Sequence, residues 1–288
     1  MGAAALTLAS GWRGLLAEEP HPTVSPLNEL VDEDEIELGR RFAEELEKEQ
    51  TAFSSAQTYH YLDKVVAALA AKSQRPNLPW SIKLVNSHVP NALSLPGGFL
   101  YVNRGLIELL SSEDELAAAL AREVGHVVAR HTLNQLLITF AAHSTLKPVL
   151  DNLNRQNGVI EEVILKLGGA APMLDLGRKT FSQKNEAEAD LLGFYEMLRA
   201  GWDPNGLLKL FALLDGLEKL NAGTPIPFLS DRSPTQERED AIRRELKLVT
   251  IPTGAATDSV NFQIFKSAMR LLPEKTKQAE NIRPQSPK

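Results

Sequence analysis

Residues 112–131 read SEDELAAALAREVGHVVARH, and this stretch decides the fold. Ser112 and Glu115 have the spacing of a capping box, and the Ala- and Leu-rich run after them predicts a helix that continues to Ala129. On such a helix Arg122, Glu123 and His126 project to one side within about one turn of 3.6 residues. The sequence therefore predicts one helix that carries the chemically active side chains.

These three side chains stand in the spacing of the zinc-peptidase motif H-E-x-x-H. In that motif two histidines four residues apart bind zinc, and the glutamate takes a proton from the metal-bound water. Glu123 and His126 fill the second and fifth places, but Arg122 fills the first. E-x-x-H alone is a weak signal, because two fixed residue types three apart often arise by chance.

The segments before this helix predict two further helices and a small sheet. Apolar residues recur at helical spacing over 35–48 and 61–71, and residues 80–85 alternate as a half-buried strand does. Residues 91–102 carry Pro-Gly-Gly between apolar flanks, which predicts a hairpin or a kinked edge strand.

The rest of the chain predicts more helices and three regions. Helices are expected over 185–200, which ends at a C-cap glycine, over 206–220 and over 233–246. We interpret residues 1–29 as a leader or degenerate signal segment, 30–250 as the folded domain and 251–288 as a C-terminal extension and tail.

Composition limits the classes of partner. The chain of 288 residues is 43% hydrophobic and 24% charged, as globular domains are. A net charge of -6 and the lack of a basic stripe predict no nucleic-acid partner. There are no cysteines, so any metal must be held by His, Asp or Glu.

The N-terminal residues bear on location. Residues 3–9 form a short apolar run without a basic segment before it, similar to a truncated export signal, so an extracytoplasmic location (periplasm or envelope) and a cytoplasmic one both stay open. No stretch reaches the roughly 18–20 apolar residues that a membrane-spanning helix needs. Association with a membrane surface stays open.

Three separate segments resemble one enzyme family. Residues 91–98 (NALSLPGG) are similar to its N-A-F-x-x-P-G-G strand, and residues 121–131 match its A-H-E-x-G-H-V-x-x-R-H helix at every fixed position except 122. Residues 181–193 are similar to its Y-S-R-x-x-E-x-x-A-D-x-x-G segment. Over roughly residues 30–245 the chain thus resembles the peptidase family of HtpX, BepA and the CAAX prenyl proteases. The resemblance implies an α+β, mainly α, gluzincin-type metallopeptidase domain, with a small sheet whose edge strand lies beside the active-site helix.

The resemblance also implies roles for individual residues. Glu123 would be the catalytic base, His126 and Glu186 would bind Zn²⁺, and Asp190 would orient a ligand imidazole. An extended peptide would lie along the strand that contains Asn91, Ala92 and Leu93. Residues 229–238 resemble the family's S-T-H-P-x-x-x-x-R stretch; Arg232 replaces its histidine, Arg238 is retained, and both would face the active site.

Arg122 separates two hypotheses for the metal site. A guanidinium has no available lone pair, so Arg122 cannot bind zinc, and zinc held by His126 and Glu186 alone would bind weakly. Alternatively, the guanidinium occupies the place of the cation and is held by Glu123, Glu186 or Asp190. His131 lies about 140 degrees round a continuous helix from His126 and is expected to point away. His60, His88 and His143 are interpreted as surface or packing residues.

Two functions follow from these hypotheses. One is a zinc endopeptidase that has an impaired metal site and acts on peptides or misfolded envelope proteins. The other is an inactive pseudopeptidase that keeps the peptide groove as a chaperone or adaptor in protein quality control. A helical structural protein unrelated to peptidases would require all three motif matches to be accidents.

Overall fold

The computed structural model of the chain describes residues 32–49, 56–142, 181–220 and 236–271. Two helices come first, α1 (Asp32–Glu49) and α2 (Ala56–Ala70). Three strands follow, β1 (Ser81–Val85), β2 (Ala92–Leu95) and β3 (Phe99–Asn103). The remaining elements are helices: α3 (Arg104–Leu109), α4 (Glu113–Val128), α5 (His131–Ala142), α6 (Gln183–Ala200), α7 (Gly206–Leu220), α8 (Gln236–Leu248) and α9 (Val260–Leu271). The mainly α, α+β fold implied by the resemblance is confirmed.

The sheet has the order β1-β3-β2, with β3 parallel to β1 and antiparallel to β2. Pro96–Gly98 forms the 3₁₀ turn that joins β2 to β3, and Gly97 and Gly98 have φ angles of 77° and 97° that favour glycine. The turn lies directly against α1, since a Cβ atom on Gly39 would lie 1.8 Å from the Pro96 carbonyl oxygen. The predicted hairpin is therefore confirmed, and β2 is an edge strand.

Helix α4 runs through the centre of the core. All its residues are buried, and it packs against α6, α7, α2 and β2. Glycines allow the closest approach: a Cβ atom on Gly125 would lie 2.7 Å from the Ala189 carbonyl oxygen of α6, and one on Gly193 would lie 3.0 Å from the Ala121 carbonyl carbon. This contact brings the polar face of α4 against that of α6.

The ends of α4 differ in how well the sequence predicts them. At its start, the Ser112 side chain makes no cap hydrogen bond, and the Glu115 carboxylate accepts from the backbone N–H of Ser111 (2.6 Å) instead of that of Ser112, so the predicted capping box does not form. At its end, Arg130 has a φ angle of 56°, in the left-handed region. The chain turns there, and His131 begins α5.

Arg130 is held in this turn by α1. Its guanidinium contacts the carboxylates of Asp32 (2.8 Å) and Glu35 (3.0 Å), and Arg75 also binds both acids. Glu35, which is fully buried, accepts a further hydrogen bond from the Gly97 backbone N–H. Helix α1 thus joins the Pro-Gly-Gly turn to the end of α4.

The core includes side chains of α9, which lies in the stretch interpreted as a C-terminal extension. Phe262, Phe265 and Met269 of α9 belong to the same hydrophobic cluster as α2 and α4.

As predicted, α6 ends at Gly201, which has a φ angle of 93°. Of the helices in the described ranges, none is long and apolar enough to span a bilayer.

Candidate functional site

The buried side chains that the motifs singled out meet where α4, α6 and α8 pack together. Helix α4 contributes Arg122, Glu123 and His126, helix α6 contributes Glu186 and Asp190, and helix α8 contributes Arg238; each is at most 2% exposed. Three carboxylates and two guanidiniums therefore share one desolvated cluster. Such a cluster is stable only when each charge is paired closely.

Arg122 lies between the two carboxylates of α6. Its Nε donates to Asp190 Oδ1 (2.7 Å) and its Nη2 donates to Glu186 Oε2 (2.5 Å). Burial alone would lower the pKa of Arg122, but the carboxylates of Asp190, Glu186 and Glu123 outweigh it and raise this pKa above its ordinary value. The guanidinium is permanently charged, and the ion pairs predicted for Arg122 with Glu186 and Asp190 are present.

Arg238, which lies on α8, binds the same two acids. Its Nε donates to Asp190 Oδ2 (2.7 Å), and its Nη2 lies 3.1 Å from Asp190 Oδ1 and 3.3 Å from Glu186 Oε2. The guanidinium also lies over the Phe211 ring, 5.3 Å from its centroid. Both oxygens of Asp190 are thus occupied by arginines, and so is one oxygen of Glu186.

His126 is fixed by an aromatic ring and a second imidazole. Its ring stacks on Phe181 with centroids 4.1 Å apart, and its Nε2 lies 3.6 Å from Glu186 Oε1. Its Nδ1 lies 3.1 Å from His131 Nδ1, and His131 Nε2 lies 3.4 Å from Glu188 Oε2. The expectation that His131 points away is wrong, because α4 ends before it and the left-handed Arg130 turns the chain back.

Glu123 faces the edge strand. Its Oε2 accepts a hydrogen bond from the Ser94 hydroxyl (2.9 Å), and Ser94 Oγ lies 3.5 Å from Thr132 Oγ1. Sequence reasoning missed Ser94, although strand alternation gives the signal: Ala92 and Ser94 share the face toward α4, whereas Leu93 pairs with Tyr101 on the face toward α1. The strand predicted to bind substrate therefore lies beside Glu123.

The donor set at this site does not fit a zinc ion. Zinc needs three protein ligands with free lone pairs in a catalytic site, and the described residues contain no cluster of three or more His, Asp or Glu side chains that could hold a metal. One oxygen of Glu186 is bound by both arginines, and the cation between Glu186 and Asp190 is Arg122. A guanidinium supplies no lone pair to a metal.

The other histidine and arginine candidates lie apart from the site or outside the description. His60 is exposed, and the exposed His88 lies 3.5 Å from Glu108 Oε2. Arg232 and His143 lie outside the described residues. Asn91 precedes β2, and its neighbours Ala92 and Leu93 lie within the strand.

The model of the family described as Peptidase family M48 matches residues 56–261. The chain is 31% identical over 185 residues to the mitochondrial metalloendopeptidase OMA1 of Schizosaccharomyces pombe. The aligned residues cover 63% of this chain and 52% of that protein. The chain is 26% identical over 203 residues to the β-barrel assembly-enhancing protease of Yersinia pestis, covering 69% and 41%, and 22% identical over 211 residues to that of Escherichia coli K12, covering 73% and 43%. The chain thus spans about half the length, or less, of these relatives.

Proposed function

Because the chain belongs to peptidase family M48, we propose that it is a pseudopeptidase that binds extended peptides or unfolded protein segments without cleaving them. The observation that carries the proposal is the ion pairing of Arg122 with Glu186 and Asp190. A metallopeptidase of this family uses zinc to activate water. Since the donor set does not fit zinc, we assign no hydrolytic step to this centre.

The peptide would bind at the outer edge of β2. Within the described ranges β2 pairs with β3 on one side, and no strand pairs with its other edge. A strand edge that has no partner strand can bind an extended peptide through backbone hydrogen bonds, and alternate side chains of the peptide fill neighbouring pockets. A chaperone or adaptor role in protein quality control fits this mode, because backbone recognition accepts many sequences.

The second candidate is a zinc endopeptidase with an impaired centre. It is favoured by the retention of Glu123, His126 and Glu186 within one buried cluster, and by relatives whose names describe a metalloendopeptidase. In this case Arg122 would have to leave Glu186 when zinc binds. The two candidates therefore differ in whether purified protein holds zinc.

Zinc content and casein cleavage distinguish the candidates. We expect purified wild-type protein to contain little zinc and to leave casein intact, and Arg122→His to gain close to one zinc per chain because a third ligand is restored. Arg243→His, at an exposed arginine of α8, is the matched control and should gain none. Near-stoichiometric zinc and casein cleavage by the wild-type protein would refute the pseudopeptidase.

Peptide binding is tested independently of catalysis. Fluorescence anisotropy with a labelled, extended apolar peptide should show saturable binding by the wild-type protein. The control peptide has the same sequence with alternate backbone nitrogens methylated, which removes hydrogen-bond donors and keeps the side chains. Equal affinity for the two peptides would contradict strand addition at β2.

We further propose that the protein acts outside the cytoplasm. The support is the apolar run of residues 3–9, which is similar to part of an export signal. Alkaline phosphatase, which is active only after export, should become active when fused behind residues 1–29. A cytoplasmic, inactive fusion would contradict this location.

A further inference from the structure

Helix α9 is apolar on two sides. One side anchors it in the core through Phe262, Phe265 and Met269, which are at most 6% exposed. On another side Val260 is 76% exposed, Ile264 64% and Leu271 85%. A surface helix normally has one apolar face, which packs on the core, and polar residues on the opposite face. A second, exposed apolar stripe therefore indicates an interaction surface.

The spacing of this stripe specifies the shape of its partner. Val260, Ile264, Ser267 and Leu271 follow one another at intervals of four, three and four residues. This is the spacing of the seam of a two-helix coiled coil, in which each apolar side chain inserts between residues of a facing helix. We call these four residues the α9 seam. They fit another helix better than they fit an extended peptide.

We propose that the α9 seam binds the α9 seam of a second copy of this chain, with the two helices antiparallel about a two-fold axis. With the axis between Phe265 and Lys266, Val260 lies opposite the partner's Leu271, and Ile264 lies opposite the partner's Ser267. The pairing is complete without any other surface, because each copy supplies both halves of every contact.

Charge complementarity supports the antiparallel arrangement. Asp258 precedes the helix and Arg270 lies in its last turn, and both are exposed. In an antiparallel pair the negative end of one helix lies beside the positive end of the other. In a parallel pair the like charges would lie side by side, which is unfavourable.

A lipid surface is a poorer partner for the α9 seam. The net charge of -6 gives no attraction to anionic headgroups. The basic side chains of α9 also do not border the seam as a group, since Lys266 binds the Leu110 carbonyl oxygen near the core. Polar Asn261, Gln263 and Ser267 lie along or within the stripe instead.

Sedimentation velocity of the full chain tests the proposal. We expect the mass to rise from 31.6 kDa toward twice that value as concentration increases, and Ile264→Asp to remain monomeric at every concentration because it places a charge at the centre of the seam. The matched control is Leu248→Asp, since Leu248 is also an exposed apolar residue (76%, against 64% for Ile264) but lies on α8. A monomeric wild-type protein, or equal loss of dimer in both variants, would overturn the proposal.

Disulfide trapping tests the register of the two α9 helices. The chain has no native cysteines, so any disulfide must come from the introduced residues. A mixture of Val260→Cys and Leu271→Cys chains should form a disulfide between the two variants on mild oxidation. Either variant alone should not, because two copies of one position lie roughly 16 Å apart at 1.5 Å per residue, beyond disulfide reach. A disulfide between two copies of the same variant would indicate a parallel pair and would overturn the antiparallel arrangement. Binding of the monomer to anionic vesicles, abolished by Ile264→Asp, would assign the seam to lipid instead.

Discussion

Arg122 is a single side chain that neutralises two buried acids, and its removal should be costly. In Arg122→Gln, Glu186 and Asp190 would lose one of the two arginines that bind them within the described residues and would keep Arg238. We expect the free energy of unfolding in urea to fall by about 3–5 kcal/mol, the usual cost of removing one partner of a buried ion pair. Arg243→Gln, which removes an exposed pair with Glu239, should cost at most about 1 kcal/mol. Equal losses would show that the cluster is not a stabilising unit.

Glu196 should make stability depend on pH. Burial raises the pKa of this carboxyl well above its ordinary value and outweighs the opposing effect of the Arg199 charge, and within the described part of the chain neither carboxylate oxygen has a hydrogen-bond partner. The protonated form therefore stabilises the fold below the unfolded-state pKa, and that stability is lost as pH rises through the folded-state pKa.

The isosteric variant Glu196→Gln tests this sign. It should match the wild-type free energy of unfolding near pH 4 and exceed it at pH 7 by on the order of 1–3 kcal/mol. Urea unfolding at several pH values measures the difference, with the exposed Glu237→Gln as control. A difference that is constant with pH would contradict the role of ionised Glu196.

Sequence reasoning could identify the cluster but not its complete geometry. Arg122, Glu186 and Asp190 were predictable as partners, because the motifs place each on a helix and a buried guanidinium needs carboxylates. The contact of His126 with His131 was not predictable, because it depends on a left-handed backbone at Arg130. Arginine rarely adopts that conformation, and Asp32 and Glu35, almost a hundred residues earlier, hold it there.

At the scale of elements, the packing of α4 on α6 depends on glycine. In Gly125→Ala the new methyl group would lie 2.7 Å from the Ala189 carbonyl oxygen, a backbone atom, so the helices must separate. We expect the free energy of unfolding to fall by about 1–3 kcal/mol. Gly216→Ala in α7 is the control: apart from its own stretch of helix, no described atom lies within 4 Å of the new methyl group, and helix propensity should stabilise this variant by up to about 1 kcal/mol. Thermal unfolding compares the two, and a stabilised Gly125→Ala would contradict the close approach.

Most elements follow from local patterns, and the exceptions arise from distant contacts. Amphipathic spacing predicted α1, α2, α6 and α7, and Pro-Gly-Gly predicted the hairpin. The end of α4 near Ala129 was predicted, but the left-handed turn at Arg130 and the new helix at His131 were not, because residues 121–131 carry no proline and their only glycine lies inside α4. The position of α9 in the core also escaped, since nothing local in residues 251–271 indicates which surface the helix covers.

At the scale of the whole molecule, the fold should be independent of metal. Arg122 and Arg238 already supply the positive charge that Glu186 and Asp190 need. We expect a chelator to leave the Tm of the wild-type protein unchanged. For Arg122→His we expect zinc to raise the Tm, with a stabilisation of about 2.7 kcal/mol at a free concentration a hundred times its Kd. A chelator-induced fall in the wild-type Tm would contradict metal independence.

The ion cluster also has a consequence for the order of folding. The contacts of Arg122 and Arg238 with their carboxylates join residues 48 to 68 positions apart in the chain. A half-assembled set of desolvated charges is costly, so we expect these bonds to form after the rate-limiting step, once the surrounding helices have docked. Loss of Arg122 should then accelerate unfolding in stopped-flow experiments and leave the refolding rate nearly constant. The two arginines would thus determine the unfolding rate, and with it the lifetime of the native state, but not the folding rate.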